Sequence, residues 1–146
     1  MINRDIIGLR FPPHHAVVEA GQLRFFAKAI GETDPVYFDD EAARAAGHPA
    51  LPVPPTFFFS LEQAGTPFPW MKRAGITIAT VLHGEQGFTY HRMAHAGDTL
   101  HFDSHISTVY DKKGGALEFV ERQTRVTNQK GEWVAQMRRL LVHRNG

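Results

Sequence analysis

The chain has no cysteine, which excludes disulfides and thiolate metal sites and fits a reducing compartment. It also lacks an excess of charge of either sign. Sixteen Lys and Arg against fifteen Asp and Glu leave a net charge of +1, spread too evenly for a nucleic-acid surface. No apolar stretch approaches the roughly 20 residues that a membrane-spanning helix needs. The opening MINRDIIGLRF interrupts its apolar run with Arg4 and Asp5, unlike a signal peptide. There is no internal repeat and no low-complexity tail. These absences, with a length of 146 residues, predict one domain over 1–146 with a core of its own, soluble and cytoplasmic.

The first half of what remains is helical and loop-like. In Glu19–Ile30, Leu23, Phe26, Ala27 and Ile30 recur at the spacing of one helix face. Asp34-Pro35 ends that helix, because a residue before proline avoids the α region. Asp39 or Asp40 then caps a short helix, EAARAAG, closed by Gly47. Pro49, Pro52, Pro54 and Pro55 make a stiff extended crossing, and Pro55 opens a further helix, TFFFSLEQA, apolar on nearly every side. The second half reads as strands: Val81–Arg92, Asp98–Tyr110, Ala116–Thr127 and Trp133–His143, separated by glycine-bearing turns. Leu100, Phe102, Ser104, Ile106 and Thr108 share one face of their strand, as an antiparallel sheet with one wet side requires. The last three strands read as a meander.

Two segments carry a family resemblance. AIGETDPVYFDDEAARAAGHPALPVPPTF (Ala29–Phe57) resembles the overhanging segment of MaoC-type hot-dog hydratases, whose pattern is Gly-Asp-x-Asn-Pro-x-His. HGEQGFTYHRMAHAGDTL (His83–Leu100) resembles the third-strand region of the MaoC-like N-terminal dehydratases, and the opening IGLRF is similar too. The resemblance implies an α+β hot dog, an antiparallel sheet wrapped around a central apolar helix near Thr56–Ala64. It implies reversible removal of water from a (3R)-3-hydroxyacyl thioester carried by CoA or acyl carrier protein, and a homodimer or a heterodimer with a second hot-dog subunit. No cofactor, nucleic acid or membrane partner is implied.

Aligned on Gly31 and Pro35, the family's catalytic Asp falls on Glu32, its Asn on Asp34 and its His on Tyr37. Tyrosine is a poor substitute for histidine, since a reference pKa near 10 leaves little base at neutrality. The altered pair matches the subunit type whose partner supplies the acid and base, so a purely acyl-binding subunit is an alternative to an active one. A hot-dog thioesterase is a further alternative. Asp34 and Tyr37 remain candidates for catalysis and substrate binding.

Elimination needs a base for the C2 proton, an acid for the departing hydroxyl, and donors for the thioester carbonyl. Three further places qualify. His48 and Glu62 lie fourteen residues apart in a segment that loosely resembles the loop histidine and helix glutamate of single-chain hydroxyacyl-carrier-protein dehydratases. His83 and Glu85 alternate on a strand, so both can face one side and pair. The start of the helix at Thr56 and Phe57 offers backbone N–H groups and an apolar lining for an acyl chain. Lys72 and Arg73 form a basic pair that could meet a CoA phosphate or sit in solvent, the second being the favoured reading. His91/His95 and His101/His105 are each spaced by four, which in a strand spans about 13 Å, too far for two ligands of one ion, so no metal site is expected.

Overall fold

The computed structural model describes residues 1–64 and 69–145. Strand β1 (His14–Val17) leads into α1 (Ala20–Ala29), then α2 (Asp40–Ala45), α3 (Phe57–Ala64) and α4 (Pro69–Ala74). Strands β2 (Val81–Tyr90), β3 (Thr99–Lys112), β4 (Leu117–Thr127) and β5 (Trp133–Arg144) follow. The sheet order is β1-β3-β4-β5-β2, antiparallel throughout. This is the α+β arrangement expected: β3, β4 and β5 form the meander, and α3 lies against the concave face.

Local chemistry explains the helices. Leu23 and Ala27 of α1 are fully buried, one stripe of an amphipathic helix. Asp39 caps α2 by accepting the Ala42 N–H at 2.7 Å, and Gly47, with φ 91°, closes it in a conformation that glycine adopts without a Cβ clash. The proline-rich crossing is extended and paired: the Val53 N–H bonds the Ala94 carbonyl at 2.9 Å, and the Ala96 N–H bonds Leu51 at 2.8 Å.

On β3, Leu100, Phe102, Ser104 and Ile106 are buried as the alternation requires. A bulge between Ile106 and Thr108 then shifts the parity, so Val109 rather than Thr108 takes the inner face. The helix Phe57–Ala64 starts one residue after the expected Thr56, and β2 ends at Tyr90 rather than Arg92. The sequence reading missed β1 and α4.

Two apolar clusters fill the concave side. One joins α1, α3 and the crossing to Leu100, Phe102, Val126 and Met137. The other joins Ile2, Ile6, Phe11 and α4 to Ile106, Val120 and Leu141. Between them runs a polar band, Ser104 on β3, Thr124 and Arg122 on β4, and Arg139 on β5, onto which α3 lowers Glu62.

Candidate functional site

After α1, Gly31 turns the chain with φ 75°, and the Glu32 side chain folds back on its own loop. Its Oε1 accepts the N–H of Thr33 at 2.8 Å and of Asp34 at 3.0 Å. The Asp34 Oδ1 in turn accepts the Val36 N–H at 3.1 Å and caps the 3₁₀ turn Pro35–Tyr37. The Asp34 N–H, and after it the Thr33 N–H, hold the Glu32 carboxyl below the usual carboxylate range. Burial raises the Tyr37 phenol above its ordinary value, and the charges of Glu32 and Asp34 add to the effect. At the two positions where the MaoC pattern has Asp and His, this chain therefore has a turn-holding carboxylate and a phenol that resists ionisation.

His48 and Glu62 do not meet. His48 Nδ1 lies 3.2 Å from His95 Nε2, and among the described residues His48 makes no hydrogen bond to Glu62. The β2–β3 connection brings His95 to it through the pairing of Pro52 with His95. Burial lowers His95 from the ordinary histidine value, His48 lowers it further, and Asp98 opposes both.

Glu62 is 1% exposed and belongs to the polar band. Its Oε2 receives Arg139 Nη2 at 2.5 Å, its Oε1 lies 3.4 Å from Arg122 Nη2, and Thr124 Oγ1 donates to it. Arg122 also donates to Ser104 Oγ at 2.9 Å. The acid expected on an apolar helix instead faces two guanidinium groups. The readable signal was the period-two run Val120, Arg122, Thr124, Val126, which puts an arginine on the core face of a strand.

His83 and Glu85 also separate, which corrects the expected pair. The register slips between them, and at the slip a Cβ on Gly84 would stand 2.8 Å from Val142 Cγ2 and 3.1 Å from the Leu140 carbonyl oxygen. Only glycine fits that close approach, and the bulge turns the two side chains apart. Glu85 pairs with Arg138 at 2.6 Å, in a cluster with Glu121. The His83 ring sits 5.3 Å from Phe59.

That contact opens a cleft of about 440 Å³ beside β2, lined by Phe26, Thr56, Phe59, Ser60, His83, Gln86 and Phe88. Arg139 backs it: its guanidinium lies 4.5 Å from the Phe59 ring centre and its Nε reaches Gln86 Oε1 at 3.4 Å. A second, apolar groove of about 580 Å³ runs between α1 and α3, past Phe25, Phe26, Phe57, Ser60 and Leu61. The two share Phe26 and Ser60. Thr56 thus lines the cleft and Phe57 the groove. The N–H groups of Phe57 and Phe59 bond to Pro54 and Thr56 carbonyls, so these two donors are engaged in the first turn of α3. Lys72 and Arg73 are exposed in the last turn of α4.

Comparison with known proteins gives the site its context. The model of a family described as "FAS1-like, dehydratase domain region" matches residues 5–137. A UPF0336 protein of Streptomyces griseus is 36% identical over 145 residues, covering 98% of this chain and 95% of that one. A chain of the C-terminally truncated HadBC (3R-hydroxyacyl-ACP dehydratase) complex from Mycobacterium tuberculosis superposes with a TM-score of 0.80 at 29% identity. That match covers 94% of this chain and 97% of the other. A MaoC-like dehydratase superposes with a TM-score of 0.85 at 22% identity over 97% of this chain and 43% of its own longer one. The architecture is the hot-dog fold of the MaoC-like dehydratases.

Proposed function

The chain belongs to the FAS1-like dehydratase-domain family, and we infer from that membership and from its own loop that it is the acyl-binding subunit of a (3R)-hydroxyacyl-thioester dehydratase or hydratase. A second hot-dog chain carries the acid and the base. The observation that carries this reading is the state of Glu32 and Tyr37. Glu32 spends its carboxylate on two backbone N–H groups, and Tyr37 has a phenol raised by burial. Neither is suited to exchange protons at neutrality.

The cleft and the groove supply what such a subunit contributes. The groove between α1 and α3 takes an acyl chain, and the cleft beside β2 takes the polar end of the thioester, with His83, Thr56 and Gln86 at its wall. The HadBC structure supports a two-chain assembly, being a complex described as a 3R-hydroxyacyl-ACP dehydratase. The free edge of β2, which pairs only with β5 among the described strands, suits side-by-side association with the catalytic chain.

The test is hydration of crotonyl-CoA and longer enoyl-CoAs by the chain alone and with a MaoC-type partner that has the Asp and His. Turnover that needs the partner supports the reading, and turnover by the lone chain overturns it. Thiol release from acyl-CoA, followed with a thiol-reactive dye, would assign a thioesterase instead.

A further inference from the structure

His91 and His95 are neighbours in the sequence, yet the fold gives each a different partner. His91 stacks on Trp133, with ring centres 3.9 Å apart. His95 meets His48, 47 positions away, because Pro52 of the crossing pairs with His95. His48 Nδ1 and His95 Nε2 stand 3.2 Å apart.

Both rings are mounted on fixed backbone. The His48 N–H bonds the Ala43 carbonyl at 2.9 Å, just past α2. The His95 N–H bonds Asp98 Oδ2 at 2.9 Å. On either side of His95, the Val53–Ala94 and Ala96–Leu51 bonds tie the chain to the crossing. Both histidines are half-buried, so solvent still reaches the pair.

The separation of the two nitrogens matches a chelate. Two Zn–N bonds of about 2.0–2.1 Å at a tetrahedral angle span about 3.3 Å. Between two neutral rings, one donates the hydrogen bond and the other accepts it. When the donor ring carries its proton on its other nitrogen, both lone pairs face one point and no proton is lost. The Asp98 carboxylate, fixed by the His95 N–H and by Gln129 Nε2 at 2.9 Å, adds negative charge beside a cation. Other histidines are engaged differently: His14 stacks on Phe102 at 4.9 Å, and His143 lies 3.6 Å from Glu118.

We propose that His48 and His95 chelate one divalent transition-metal ion of the zinc class, which clamps the loop after α2 to the β2–β3 connection. This site is independent of the acyl-binding reading. Among the described residues no group of three His, Cys, Asp or Glu is placed to hold an ion, so water completes the coordination shell. Binding is therefore weaker than at a structural zinc site with four protein ligands.

Zinc chloride is the probe. Crystals of the full chain soaked in it should show an anomalous peak at the zinc edge, about 2.1 Å from both His48 Nδ1 and His95 Nε2. Calorimetric titration should find a zinc site that His48→Gln and His95→Gln each weaken by roughly tenfold or more. His15→Gln, which alters an exposed histidine whose ring lies 5.9 Å from that of His101, should leave that site unchanged. Zinc should also raise the melting temperature of wild type saturably, with EDTA reversing the rise. An anomalous map with no peak between the two rings, or zinc affinity unchanged in both variants, overturns the proposal. If neither variant folds, the wild-type map decides alone.

Discussion

Glu62, buried between two arginines, shows its worth by what its removal would leave: two guanidinium groups in the core with no carboxylate between them. Breaking such an arrangement from one side typically costs about 3–5 kcal/mol, so Glu62→Gln should lower unfolding stability by about 3 kcal/mol in urea titration. A loss under about 1 kcal/mol would show that the band is solvated rather than buried.

His95 gives a pH prediction at the same scale. Its folded pKa lies below the ordinary histidine value of 6.5, chiefly through burial and then through His48. The folded state therefore binds a proton less readily than the unfolded chain. Its contribution to stability is complete above about pH 6.5 and is lost as the pH falls below that value. The melting temperature of wild type should drop more between about pH 7.5 and 5.5 than that of His95→Asn. Equal drops would contradict the assignment.

At the scale of elements, what could be read in advance depended on periodicity and punctuation. Helix α1 announced itself by Leu23 and Ala27 at helical spacing, α2 by Asp39 and Gly47, and β3 by strict alternation up to Ile106. Strand β1 offers only His-His-Ala-Val and α4 only six residues, too short for either period to emerge. The bulges at Gly84 and after Ile106 were invisible because register is set by the neighbouring strand, not by the strand itself. The assumed His83–Glu85 pair failed for that reason. The His48–His95 contact was hidden because it joins two loops across a tertiary pairing.

The groove between α1 and α3 carries its own prediction. Ser60 lines both the groove and the cleft and is exposed, so Ser60→Trp should block the passage with little damage to the core. In the two-chain assembly it should lower kcat/KM for long enoyl-CoAs by roughly tenfold or more while sparing crotonyl-CoA. Equal losses on short and long substrates would move the acyl site elsewhere.

Over the whole molecule, a five-stranded sheet, a central helix and an open β2 edge frame a cleft and a groove, while at the Glu32 and Tyr37 positions stand a carboxylate bonded to its own turn and a phenol raised by burial. The departure from Gly-Asp-x-Asn-Pro-x-His was legible in the sequence. What the departure does, tying the Glu32 carboxylate into its own turn, needed the backbone geometry. The division of labour is tested most directly by turnover of the assembly in which this chain carries Glu32→Gln and Tyr37→Phe and the partner keeps its Asp and His. The account predicts kcat within about twofold of the unaltered assembly. A fall of the roughly 10²–10⁴-fold expected for losing a general acid or base, in an assembly that still forms, would contradict it.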